Sequence, residues 1–421
     1  MSEAVEEEEL TPIPDAYSIP LEEIDMIQPR LFQENRIWEY FERLRNEDPV
    51  HFNERKPFGR YWSLTKYDDI FYVDKHSDLF SSANGITIGM PVGSGLPEGA
   101  LPISTFIAMD SPKHDVQRAT VSSIVEPQSL AKLETTIRGR TAKVLDSLPI
   151  GETFDWVDKV SIELTTQMLA TLFDFPFEQR RKLTRWSDVA TAAPGSGIID
   201  SVEQRREELM ECLEFFTGLW NERIKKPGHD LVSMLAHGKD TKDMQPFELL
   251  GNIILLIVGG NDTTRNSMSG GVLALNDFPD EHQKLRDNPK LIPNMVSEII
   301  RWQTPLAYMR RTANQDCEIR GKQIKKDDQL IMWYVSGNRD EDVILRANEF
   351  LIDRKNVRRH LSFGFGIHRC MGNRLAEMQL RILWEEIMQR FDKVEVVGEP
   401  QRTYSSFVKG YTYLPVKLHA K

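Results

Sequence analysis

Ten residues constrain this chain more than any others: Phe363-Gly364-Phe365-Gly366-Ile367-His368-Arg369-Cys370-Met371-Gly372. Glycines on both sides of a cysteine let the backbone come close to something large and flat. A helical pattern follows at once, with Leu375, Met378, Ile382, Leu383 and Ile387 on one face. The spacing puts Cys370 at a helix N-terminus, where free N–H groups and the helix dipole stabilise a thiolate. Such a thiolate can ligate a metal or attack as a nucleophile. A single cysteine taken alone reads equally well as an inert buried thiol.

A second segment adds a polar interruption to an apolar helix. Ile253-Ile254-Leu255-Leu256-Ile257-Val258 is apolar all round and predicts a buried helix, which Gly259-Gly260 then weaken by about 1 kcal/mol each relative to Ala. Asn261, Asp262, Thr263 and Thr264 follow. A carboxylate in that setting needs compensation, and a neighbouring hydroxyl can bridge or distort the helical hydrogen bonds. A polar patch where the helix meets solvent is the plainer reading of the same run.

The wider pattern is mostly helical. Ile37, Tyr40, Phe41 and Leu44 follow helical spacing, as do Leu209, Leu213, Phe216 and Leu219. Long helices are expected over 246–276, 292–303 and 371–391. Strand-like runs are few: 61–65, 317–319 and 329–333. Residues 81–102 are irregular and rich in Gly and Pro, a length of loop that points to a cover over a functional site.

Of the 421 residues, the first 25 contain nine acids and no Lys or Arg. With −11 overall, the remainder carries only −2, so no basic field for nucleic acid exists. Residues 1–20 read as an acidic, disordered tail and 21–421 as one domain. The acidic N-terminus is unlike a secretory signal, and the longest apolar run is far short of the roughly 20 residues of a membrane span. Cys212, Cys317 and Cys370 lie too far apart for a disulfide framework or a CxxC pair. The expectation is a cytoplasmic protein with reduced thiols.

FGxGxxxCxG resembles the haem-binding signature of the cytochromes P450, in which the cysteine is the axial iron ligand. GGNDTT is similar to the family's oxygen-binding segment, [AG]-G-x-[DE]-T-[TS]. The resemblance implies a mainly α fold with a minor β region and haem b bound between the long helix and the helix after the cysteine loop. It implies Cys370 as the metal ligand, with Phe363, Gly364 and Gly372 shaping its loop. Asp262 and Thr263 become the acid–alcohol pair that delivers protons to iron-bound dioxygen. His114 and Arg118 match an HxxxR helix, and with Arg311 and His368 they would hold the haem propionates; Arg310, beside Arg311, leaves an ambiguity. Glu298 and Arg301, an ExxR pair that by itself reads as a surface ion pair, would join Arg354 in the family's structural Glu-Arg-Arg cluster.

Longer runs resemble the bacterial alkane and fatty-acid terminal hydroxylases of that family: residues 106–110, 172–176, 301–306 and 405–411. They imply monooxygenation at the terminal C–H bond of medium-chain alkanes or fatty acids. A terminal C–H bond is stronger than its secondary neighbour, so a narrow apolar channel must enforce the choice. Its candidate walls are Ile107, Leu255, Val258, Gly259, Leu306, Met309 and Phe407. The chain has neither an iron–sulfur cysteine set nor a flavin module. A separate ferredoxin with an NAD(P)H-dependent reductase is therefore implied, steered by Lys113, Arg369 and Arg374. The competing expectations are a peroxide-driven enzyme, a steroid or terpene hydroxylase, and a haem-thiolate sensor or carrier without turnover.

Overall fold

The computed structural model describes residues 12–96, 98–192 and 195–421. Its axis is a helix over Pro246–Asp277, 32 residues and so about 48 Å long. Proline stands in its first turn, where no N–H is needed. Leu249, Leu250, Ile253, Ile254 and Ile257 are buried because other helices pack on several sides of this one. Arg181–Thr191 and Val202–Lys225 approach it, as do Ile292–Gln303 and Asn373–Arg390. Gly251 is required where the irregular segment before Phe106 comes against this helix, since a Cβ there would overlap the Ser104 carbonyl.

The minor β portion comprises a five-stranded sheet and a three-stranded one, with two short hairpins. In the larger sheet Gly59–Leu64 runs antiparallel to Val50–Arg55 and parallel to Gln329–Met332, pairing Tyr61 with Gln329 and Leu64 with Met332. Met309–Ala313 continues the sheet, and Phe80–Ser81 closes it. The chain is about half helical, in line with the expected fold class. The expected helices occupy 246–277, 292–303 and 373–390, and the expected strands 59–64, 317–319 and 329–332. Between Phe80–Ser81 and the short turn Phe106–Ala108 no helix or strand forms among the described residues.

The tail differs from expectation. Residues 1–11 lie outside the described residues, but 12–20 are docked. Ala16 is fully buried, and Tyr40 donates to the Pro14 carbonyl at 2.7 Å. The Arg43 guanidinium donates to the carbonyls of Ala16 and Ile19 at 2.6 and 2.7 Å. The loosely attached segment therefore does not extend to residue 20. Backbone carbonyls captured by an arginine hold it, and composition carries no sign of that. No helix among the described residues is long and apolar enough to cross a membrane.

Candidate active site

The cysteine loop is a tight return stroke. Gly364 and Gly366 adopt positive φ of 62° and 66°, and a Cβ on Gly366 would lie 2.6 Å from the Asp74 carbonyl oxygen. The Cys370 N–H donates to the Phe363 carbonyl at 2.7 Å, which closes the loop before the helix starts at Asn373. Cys370 is thus three residues ahead of the helix, with Gly372 as its cap. Burial pushes the thiol up; the N–H groups of Gly372 and Asn373 and the charges of Arg118 and Arg369 act against it. The residue is nevertheless exposed and not sealed in packing. A Cβ on Gly372 would likewise meet no atom within 4 Å.

The basic residues singled out from the sequence converge on this loop. His114 and His368 lie with ring centroids 4.3 Å apart. The Nδ1 of His114 meets Asp115 at 2.7 Å, while its Nε2 and both ring nitrogens of His368 are buried without a partner. Burial, then Arg311, His114 and Arg118, push His368 down to about 2. Arg118 donates to the Arg369 carbonyl at 2.5 Å, clipping its helix, Lys113–Ser122, onto the loop.

The two adjacent arginines separate by strand alternation. Arg310 turns toward the Gly85 carbonyl at 3.1 Å and Gln329 Oε1 at 2.5 Å. Arg311 meets Asp74 Oδ1 at 2.7 Å, and its Nε is left without a partner. Asp74 also accepts from the Phe365 N–H at 2.7 Å and the Tyr334 hydroxyl at 2.9 Å, so it joins Arg311 to the cysteine loop. Sequence reasoning missed Asp74. The available signal was its position seven residues after Tyr67 on the apolar face of helix Tyr67–Lys75, beside Ile70 and Val73.

On the central helix, Leu255, Gly259 and Thr263 form one stripe at i, i+4 and i+8, with Val258 at its edge. Gly259 is exposed in the middle of a buried helix, and a Cβ there would meet nothing within 4 Å. Thr263 donates its hydroxyl to the Gly259 carbonyl at 2.9 Å. Asp262 lies about 100° further round the helix. It is fully buried, accepting from Ser187 at 3.1 Å, Asn261 at 2.9 Å and Arg265 at 3.0 Å, with Oδ2 unpartnered. Burial pushes its carboxyl up to about 6 despite the pull of Arg265. The expected acid and alcohol are neighbours in sequence, but no hydrogen bond joins them.

Ile107, Leu255, Val258, Leu306, Met309 and Phe407 are all half-buried although they sit among buried neighbours. Leu306 bridges to Val408, the Ala307 N–H donates to the Phe407 carbonyl at 2.9 Å, and the Phe407 ring stands edge-on to Tyr308 at 5.3 Å. These contacts bring Leu306 and Phe407 together. The turn carrying Ile107 is tied to the central helix through the Phe106 N–H and Asn252 Oδ1 at 2.9 Å. Met309 packs against the core of the five-stranded sheet, Phe407 against the cluster around Tyr308, and Leu255 and Val258 against the helical core.

Glu298, Arg301 and Arg354 form a buried cluster. Arg301 meets both carboxylate oxygens of Glu298 at 2.7 and 2.8 Å, and Arg354 Nε meets them at 3.0 and 3.1 Å. The remaining guanidinium N–H groups donate to carbonyls of residues 338–349, among them Asn338, Ala347 and Glu349.

The haem that the resemblance implies fits these groups. Its iron needs an accessible thiolate, its flat face a glycine-lined helix, and its two propionates buried donors. Cys370, the Gly259 stripe and the unpartnered nitrogens of His114, His368 and Arg311 answer these needs in turn. Comparison with known proteins agrees. The cytochrome P450 family profile matches residues 132–412. A linalool 8-monooxygenase of Pseudomonas putida is 33% identical over 415 residues, covering 95% of this chain and all of that one. A methyl-branched lipid omega-hydroxylase of Mycobacterium tuberculosis is 32% identical, covering 89% and 90%. The solved cytochrome P450-153 from Novosphingobium aromaticivorans is 46% identical with a TM-score of 0.87, covering 94% and 99%.

Proposed function

This chain belongs to the cytochrome P450 family and is a monooxygenase, and from that premise we propose that it hydroxylates the terminal carbon of medium-chain alkanes or fatty acids. The observation that carries this reading is the apolar lining. Leu255 and Val258 on the central helix, with Leu306 near Phe407, leave apolar side chains half-buried on largely buried elements. Likeness to an omega-hydroxylase supports it. Haem b, when bound through Cys370, supplies iron chemistry with O2 that thiolate donation tilts toward O–O cleavage.

The chain's own residues do the rest. His114, Arg118, Arg311 and His368 would hold the propionates, and Phe363, Gly364 and Gly372 set the approach of the loop. Thr263 presents a hydroxyl on the Gly259 stripe, and Asp262 supplies a carboxyl, pushed up to about 6 by burial, for moving protons inward. Glu298, Arg301 and Arg354 brace the 338–354 segment. Electrons would come from NAD(P)H through a reductase and a ferredoxin, in the cytoplasm. Of the three cations suggested for docking, Arg369 and Arg374 are exposed, whereas Lys113 is paired with Glu248 at 2.9 Å.

The test is the product distribution from n-octane with the haem-loaded protein, a ferredoxin, its reductase and NADH. Mostly 1-octanol supports the reading, and a preponderance of internal octanols would sink it while leaving the enzyme class intact. Likeness to a linalool 8-monooxygenase favours a second reading, a terpene alcohol in the same channel. Competition between linalool and octane would decide which is preferred.

A further inference from the structure

A recess of about 510 Å3 opens where helix Ile37–Glu47, the end of helix Ile292–Gln303 and residues 402–411 meet. That volume suits a small organic molecule. Its lining sets four cations (Arg45, Arg339, Arg402 and Lys409) against three acids (Glu39, Glu42 and Asp277), and the buried cations are not the ones the acids pair with. Arg339 is only 5% exposed, yet its guanidinium carbon lies 3.4 Å from the ring centroid of Trp302 and 4.5 Å from that of Trp38. Among the described residues its guanidinium makes one hydrogen bond, to the Trp302 carbonyl, long at 3.4 Å. The Lys409 ammonium lies 5.5 Å from the Trp38 centroid and donates to the Gln303 carbonyl at 2.8 Å. Arg45, also buried, donates only to the backbone carbonyl and hydroxyl of Ser336.

Among the described residues, none of these three cations has a carboxylate within 4.0 Å. The buried acids behind them are engaged elsewhere. Glu298 is shared between Arg301 and Arg354, and Asp340 is paired with Lys66 at 3.1 Å. Of the acids on the recess, Glu39 and Glu42 are exposed at the rim, and the charge of Arg402 acts on Asp277. Burial drives both Arg339 and Lys409 well below their ordinary values, and the positive charge of Arg339 adds to the effect on Lys409. Glu298 acts on Arg339, and Asp340, Glu42 and Glu341 on Arg45, only from beyond ion-pair distance, and stripping cations of water without a paired counter-charge is strongly unfavourable. Indole faces and single carbonyls offset only part of that cost.

We propose that this recess is an oxyanion-binding site, taking a carboxylate or phosphate group on a small organic molecule against Lys409 and Arg339. The anion supplies the missing counter-charge, and the wider recess accommodates the body that carries it. The recess shares no lining residue with the proposed channel or the cysteine loop, and the proposal is independent of which substrate is hydroxylated.

The experiment is calorimetric titration of the haem-loaded full chain with inorganic phosphate, against sodium chloride at equal ionic strength. The expected result is saturable binding of one phosphate. Lys409→Met should weaken it by about ten-fold or more, since a charge-assisted hydrogen bond is lost. Glu42→Arg, which adds a cation at the exposed rim, should tighten it and decides the matter if Lys409→Met fails to fold. Acetate and methyl phosphate then separate the two sources: binding of one names the group. Absence of saturable binding by phosphate and by both of these probes overturns the site, as does equal affinity in the parent and the folded variants.

Discussion

Asp262 and Arg265 meet at 3.0 Å, one turn apart on the central helix, and the same guanidinium reaches Asp188 at 2.8 Å. The carboxylate is thereby held toward helix Arg181–Thr191, on the side away from Thr263. Moving a proton from Asp262 toward the Thr263 stripe therefore needs a turn of the Asp262 side chain or an intervening water. The ion pair also keeps the carboxyl from rising further, because burial and Asp188 push it up while Arg265 pulls it down.

That balance has a thermodynamic signature. The Asp262 pKa is about 6 in the folded protein against 3.8 as the ordinary value. The folded state thus binds the proton more tightly than the unfolded state. The contribution to stability is full below pH 3.8 and is lost as the pH rises through about 6. Asp262→Asn removes the titration. Its unfolding free energy should improve relative to the parent as the pH rises from 4 to 7, measured by urea unfolding at each pH. A difference that stays flat across this range would contradict the raised pKa.

Glu298→Gln breaks the most enclosed ion cluster. Arg301 and Arg354 keep their carbonyl partners but lose the carboxylate between them. Removing one partner of a buried pair costs about 3–5 kcal/mol. The variant should show a lowered urea midpoint and release haem sooner on warming. A midpoint equal to the parent's would mean that the carbonyls alone carry the two arginines.

Asp74→Asn tests the link from Arg311 to the cysteine loop. The carboxylate accepts three hydrogen bonds, from Arg311, Tyr334 and the Phe365 N–H. An amide can keep some of them but offers no charge to Arg311; hydrogen bonds to charged groups are worth about 1.5–3 kcal/mol each. Haem transfer to a scavenging apoprotein should be faster than from the parent. An unchanged rate would detach Asp74 from the positioning of that loop.

The legible parts of this fold were those that local pattern dictates. The 246–277 helix could be read because proline opens it and the apolar run 253–258 lies within it; the 292–303 helix carries its own stripe of Ile and Val. Cys370 and Gly364 could be read because few other residue types permit that loop. What stayed hidden depends on distant pairing. The parallel pairing of Gly59–Leu64 with Gln329–Met332 joins residues 268 apart, as with Tyr61 and Gln329. The docking of residues 12–20 uses backbone carbonyls, which are the same for every sequence. Which of Arg310 and Arg311 faces the cysteine loop was undecidable until strand pairing assigned their sides. Asp262 is legible in the chain as a carboxyl on a buried helix, but its turn toward Arg265 and Ser187 is a property of the neighbouring helix.

Leu306→Ala and Val258→Ala test the proposed channel wall. Each removes half-buried apolar volume, and a wider wall lets the chain lie sideways to the iron. The expected outcome with n-octane is a rise in 2- and 3-octanol at the expense of 1-octanol, by about 1–3 kcal/mol of lost discrimination at most. The ratio is read by gas chromatography of the product alcohols. If both variants keep the parent's ratio, neither residue borders the bound chain.

The ion pair of Lys113 with Glu248 sharpens the ferredoxin prediction. A cation already neutralised contributes little to a steering field, whereas Arg369 and Arg374 remain exposed beside Cys370. Steered encounters weaken as the screening length falls to about 8 Å at physiological salt. Turnover with limiting ferredoxin should therefore drop as sodium chloride is raised. Arg374→Glu should raise the KM for ferredoxin several-fold with kcat nearly unchanged, and Lys113→Ala should do far less. A larger effect at Lys113 than at Arg374 would move the docking surface away from the cysteine loop and toward helix Lys113–Ser122.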